Sequence, residues 1–169
     1  MSTTRQNPKS RKYPPVDVER TTADDAERLI GPIEALFNAG RYSTDLTFDR
    51  ERGLGYLRQA IGSGFAVYLL AVDSTTKQVI GFGSYHLDQS FTTRPVAHLD
   101  ELFVLEEFHR THAHVGRILI AMMLSMAQGD GAAMLHFPIT SGHAAARSLV
   151  NLLEKFGAEP VGLIMRRML

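Results

Sequence analysis

From Phe65 to Leu105 the chain changes its hydrophobic rhythm, and that change constrains the fold more than any other feature. Residues 65–73 (FAVYLLAVD) and 79–87 (VIGFGSYHL) are rich in β-branched and aromatic side chains and flank a polar turn at 74–78 (STTKQ), which is a hairpin pattern. Residues 96–105 (VAHLDELFVL) add a third strand to this meander. On both sides the spacing is helical. Ala26, Leu29, Ile30, Ile33 and Phe37 follow a capping box formed by Thr22 and Asp25, and Gly31-Pro32 is expected to bend or split that helix. A second helix is predicted over 48–62, with Leu54, Leu57 and Ile61 on one face. Residues 115–128 (VGRILIAMMLSMAQ) are apolar around most of the circumference, as expected of a helix laid on a sheet.

A short strand at 16–20, a fifth strand at 133–139, a helix opening at Ser141 and a sixth strand at 161–169 complete the pattern. The order is β-α-α-β-β-β-α-β-α-β. It predicts an α+β fold with a mixed, mostly antiparallel central sheet flanked by helices, in one domain over 16–169. Residues 1–15 hold Arg5, Lys9, Arg11, Lys12 and three prolines and are expected to form a flexible basic tail.

Composition excludes several functions. The 18 Lys and Arg balance 18 Asp and Glu, so the surface lacks the cation excess that a dedicated nucleic-acid or acidic-membrane binder needs. The absence of cysteine removes disulfides and thiol nucleophiles, and a cytoplasmic location is the expectation. No run approaches the ~20 apolar residues of a membrane span.

The segment after the third meander strand carries chemistry. A strand delivering its chain to a helix N-terminus leaves unpaired amide N–H groups and the positive end of a dipole aimed at one spot, which suits a pyrophosphate. Arg110, Arg117 and the histidines 109, 112 and 114 add donors and charge. The pieces Leu102-Phe103-Val104, then Glu107 to Arg110, then Val115-Gly116-Arg117-Ile118-Leu119, resemble the core of the GNAT N-acetyltransferase superfamily. Leu152 to Gly157 followed by Glu159-Pro160-Val161 is similar to that family's last helix and strand. The ordered set, covering 16–169, carries the resemblance.

The resemblance implies an acetyl-CoA cosubstrate. Its pantetheine arm would pair with the main chain of Leu102, Phe103 and Val104, and its pyrophosphate would lie against Arg110, Thr111, His112, Ala113, His114, Val115, Gly116 and Arg117. Two departures stand out. Counting back from Gly116 places His114 and Thr111 where the family has Gly and Arg or Gln, in a loop about two residues longer than usual. Leu153 stands where many members have a Tyr that protonates the departing thiolate.

Transfer to an amine requires that the ammonium lose a proton to a base. In the family, the position six before the motif Val often holds that base. It is His98 here. Strict alternation puts His98, Asp100, Leu102 and Val104 on one face and Leu99, Glu101 and Phe103 on the other, so Asp100 is expected to orient His98. Glu101 is the reserve base should a bulge shift the register. A sheet-bonded structural role is the competing reading of His98.

The i, i+3, i+5 spacing of His109, His112 and His114 matches no strong zinc template, so no metal is expected. Met122, Met123, Met126 and Met134 read as core, and Arg147 is left open between a phosphate contact and plain surface. The resemblance implies an acceptor pocket shaped by about 38–50 and 88–95, a small-molecule or protein amine as partner, and a possible homodimer through exposed edge strands. The rival reading is a GNAT-fold protein that binds CoA or a protein partner without catalysis.

Overall fold

The computed structural model describes residues 13–40, 43, 46–90, 92–138 and 143–159. The chain order is β1 (Val16–Arg20), α1 (Ala26–Ala39), α2 (Arg50–Gly62), β2 (Ala66–Asp73), β3 (Val79–Asp88), β4 (Val96–Val104), α3 (Val115–Gly129), β5 (Met134–His136) and α4 (His143–Glu154). The strands lie side by side in chain order, with three antiparallel pairings followed by a parallel β4–β5 pair. The expected sixth strand at 161–169 and residues 1–12 of the expected basic tail (1–15) fall outside the described residues, while Tyr13 stacks on His114 and Pro15 O accepts from Ser74 N at 3.1 Å.

Each sheet face buries its own core. On one, α3 inserts Leu119, Ile120 and Met123 against Leu69, Ile80, Tyr85 and Leu99, all buried. On the other, Leu29 and Ile30 of α1 and Leu57 of α2 cover Leu70 and Phe82. Each such side chain contributes about 1.5–3 kcal/mol relative to exposure, which explains why two helical layers hold a sheet this narrow. Tyr85, deep in the α3 core, satisfies its hydroxyl by donating to Asp130 Oδ2 at 2.7 Å.

Three sequence expectations are corrected. Gly31-Pro32 does not split α1, which runs unbroken through a Pro32 that is itself buried with Leu29 and Ile30, packing that offsets the lost backbone bond. The second helix starts at Arg50, where the Asp49 carboxylate accepts from Arg52 N at 3.0 Å and caps it. The fifth strand shortens from seven residues to Met134–His136.

The fourth correction concerns β4. Ser84 pairs with Glu101 but Tyr85 pairs with Leu99, so Asp100 is an extra residue in the ladder, a β-bulge. Leu99 packs in the α3 core, Phe103 in the α1–α2 core, and Leu102 and Val104 return to the α3 side. Strict alternation therefore fails at Asp100. Upstream, β3 and β4 approach closely at Gly81, where a Cβ would lie 2.4 Å from Phe103 O.

Candidate active site

The β4 edge is open where the sequence analysis places a ligand. β5 pairs only with Val96, Ala97 and His98 and then ends, so β4 from Leu99 onward has no strand on that side among the described residues. Leu105 N donates to Ile80 O at 2.8 Å. With Phe82 opposite Phe103 and Gly83 opposite Leu102, antiparallel alternation directs the N–H and C=O of Leu102 and Val104 toward the open edge. One of these groups is engaged. His109 Nε2–H donates to Val104 O at 2.7 Å.

Beyond it the chain makes a 3₁₀ turn, Glu106–Phe108, and enters α3 through His112 and His114. The His112 ring, only 5% exposed, turns inward. Its Nε2–H donates to Asp73 Oδ2 at 3.2 Å, and Nδ1 meets Thr111 Oγ1 at 2.9 Å. Asp73 also accepts the amides of Thr75 and Thr76 at 2.8 and 2.7 Å, and these amide bonds chiefly hold its pKa below the usual carboxylate value. The His112 side chain thus ties the loop to the β2–β3 turn and is unavailable to a phosphate, a correction to its expected role. His114 adopts φ −86° and ψ −12°, a conformation any residue takes, so replacing the family glycine there strains nothing. Its ring stacks on Tyr13 at 4.8 Å, and burial lowers its pKa.

The N–H groups of Gly116 and Arg117 have no acceptor among the described residues, whereas that of Val115 is bonded to His112 O. A Cβ on Gly116 would meet nothing within 4 Å. The start of α3 therefore presents free amides in open space, with Arg110, Thr111, Ala113 and Arg117 exposed around it. No group of three His, Asp or Glu side chains that could hold a metal exists among the described residues.

On the α1–α2 side of the sheet the bulge brings Asp100 and Glu101, neighbours in sequence, into one groove of about 730 Å³. Asp100 does not orient His98. Its Oδ1 accepts from His86 Nδ1–H at 2.8 Å instead. His98 sits between rings, stacked on His86 at 5.1 Å and edge-on to His136 at 4.9 Å. Burial first, then the neighbouring His136 and His86, lowers the His98 pKa. Burial, reinforced by Asp100, raises that of Glu101. Opposite Glu101 in the ladder, the Ser84 hydroxyl is buried without a partner among the described residues. Sequence reasoning missed His86 because only the β3–β4 register puts it beside Asp100, and the 88–95 connection is too long to specify a register.

No protein-family model matches the chain, and neither does any curated protein sequence. Solved structures do match. An acetyltransferase from Trypanosoma brucei superposes with a TM-score of 0.68 at 15% identity, over 92% of this chain and 100% of the other. An aminoglycoside acetyltransferase from an uncultured soil metagenomic sample gives 0.72 at 15% identity, over 92% and 99%. The aminoglycoside N-acetyltransferase AAC(6')-Iy, in complex with CoA, gives 0.68 at 16%, over 93% and 96%. The chain has the GNAT acetyltransferase fold.

Within this GNAT fold, Leu153 is 4% exposed and packs in the α3 core, so the position lies in the interior and presents no group to a thiolate. The side chain of Arg147 lies outside the described residues. No helix among the described residues is long and apolar enough to cross a membrane.

Proposed function

We propose that the protein is an acetyl-CoA-dependent N-acetyltransferase acting on a primary amine. The observation that carries this reading is the Asp100 bulge, which sets two carboxylates in a groove beside the β4 edge that no strand among the described residues covers. The residues at hand fit the cosubstrate. Outward main-chain groups of Leu102 and Val104 suit an amide-bearing arm, and the free amides of Gly116 and Arg117 suit a pyrophosphate, with room where a side chain would intrude. Acetyl-CoA supplies an acetyl group activated as a thioester.

The protein's own residues supply binding and proton removal. Asp100, held by His86, and Glu101 attract the ammonium form of the acceptor into the groove. Glu101 then takes the proton that makes the amine nucleophilic, and its raised pKa makes it a stronger base than an ordinary carboxylate. The bulge provides the base on the face where the reserve residue Glu101 was expected to act. His98, without its expected carboxylate, takes no proton-transfer role. An alkyl thiol has a pKa of about 8.5, so a thiolate leaves near neutral pH without a Tyr at position 153.

Two measurements test the proposal. Thermal unfolding should show stabilisation by acetyl-CoA and CoA but not by ATP, approaching about 2.7 kcal/mol at 100 times the dissociation constant. Release of CoA thiol in the presence of amines should fall at least tenfold in Glu101→Gln and little in His98→Ala. Absence of any shift at millimolar acetyl-CoA refutes the proposal.

A further inference from the structure

We infer that the groove selects an amine carried on a flat apolar body, an arylalkylamine, over polyhydroxylated or polyamine acceptors. This rests on reading the groove as the acceptor site. Its walls are built mainly from rings and aliphatic chains. Ile30, Ile33 and Phe37 of α1 and Tyr56 of α2 line it together with Phe48 and Phe65. Phe37 and Phe48 pack at 5.4 Å in a tilted pair, and Gly53 keeps that wall close, since a Cβ there would sit 2.9 Å from Ile30 Cδ1. At the mouth, Tyr56 is 55% exposed and Phe65 57% exposed, and the Phe65 ring lies parallel to His86 at 5.6 Å. Large rings left exposed around a concave surface mark a binding face rather than a solvated one.

Charge in the groove is concentrated at one end. Asp100 and Glu101 lie there, and the other charged side chains lining it among the described residues are one of each sign, Asp49 and Arg52 at the start of α2, where the Asp49 carboxylate caps the helix by accepting from Arg52 N. One cationic centre is therefore satisfied at the β4 bulge, next to aromatic faces that favour ammonium groups. A body with many hydroxyls would lose water against hydrocarbon walls, which is unfavourable where few polar partners replace it. A flat ring attached by a short chain meets both requirements, the amine at the carboxylates and the ring between α1 and α2.

Calorimetric titration of the full chain with 2-phenylethylamine, ethylamine, spermidine and kanamycin, without acetyl-CoA, decides this independently of catalysis. The expected order places 2-phenylethylamine at least tenfold tighter than the other three. Phe65→Ala, at an exposed position that leaves both cores intact, should weaken 2-phenylethylamine about tenfold and leave ethylamine unchanged. Preference for spermidine or kanamycin, or equal binding of 2-phenylethylamine and ethylamine, overturns the inference. If acetyl-CoA stabilises the protein and kanamycin is acetylated, the inference alone fails. If 2-phenylethylamine binds selectively but acetyl-CoA neither binds nor is consumed, the groove selectivity stands and the proposed function fails.

Discussion

Replacing Gly116 by Asp should weaken acetyl-CoA binding while leaving the free protein at least as stable as before. Gly116 is the second residue of α3, its N–H is free, and its Cβ position is open, so an aspartate fits without displacing any neighbour. In the free protein a carboxylate in the first turn of a helix meets the positive dipole end and adds about 0.3–1 kcal/mol. With the cosubstrate bound, the same carboxylate would face phosphate oxygens. Two unit charges about 5 Å apart at an effective dielectric constant of ~20 repel by about 3 kcal/mol, or roughly a hundredfold in affinity, reduced toward tenfold by solvent at this half-exposed position. Differential scanning fluorimetry reads both effects in one experiment. The melting temperature of Gly116→Asp alone should hold or rise, its upward shift with acetyl-CoA at about 100 times the parent dissociation constant should fall by roughly half or more, and Gly116→Ala should retain most of that shift. Undiminished stabilisation of Gly116→Asp by acetyl-CoA would show that the pyrophosphate does not lie at α3.

Glu101→Gln should be more stable than the parent at neutral pH and less active. Burial raises the Glu101 pKa in the folded state, so this group's contribution to stability falls as pH rises from its unfolded to its folded value, and glutamine removes that loss; equal melting temperatures at pH 7.5 would contradict it. The same shift places the acidic limb of the rate profile above the range of an exposed carboxylate, which a pH series of kcat/KM measures. His112→Ala should cost about 1–3 kcal/mol, because the buried Asp73 carboxylate loses a hydrogen-bond donor; chemical denaturation reads it. His109→Ala frees the Val104 carbonyl at the open edge and should tighten acetyl-CoA binding, so an unchanged dissociation constant would show that His109 does not compete for that carbonyl.

Much of this architecture was legible in the sequence, for identifiable reasons. The 65–105 meander follows from its residue types and turn, and α3 announces itself because Leu119, Ile120 and Met123 recur at helical spacing in a segment with almost no polar face. That α1 continues unbroken through Pro32 was not legible, since local propensity carries no information about burial by the sheet. The site was half legible. Asp100 and Glu101 were identified as chemistry-bearing residues, but Asp100 was assigned to the wrong imidazole. Which histidine it meets depends on a register set across a seven-residue connection and on a bulge that no residue type near Asp100 signals. The inward turn of His112 was likewise invisible, because its partner Asp73 is remote in sequence and is brought near only by the β2–β3 turn.

The Asp100 bulge also acts as a phase shifter within the sheet. Downstream of it, every side chain of β4 lies on the face opposite to the one that counting from Leu99 would assign. Deleting Asp100 would return Leu99 and Glu101 to plain alternation, with Leu102 still under α3 and Glu101 still over the groove, whereas straightening the strand with Asp100 kept would swing Glu101 into the hydrocarbon under α3 and put Leu102 over the groove. Deletion removes one carboxylate and leaves every face as it is, whereas loss of the bulge at an unchanged residue count inverts a whole strand end. A chain that carries the extra residue must therefore also carry the bulge if Glu101 is to stay on the groove side of β4.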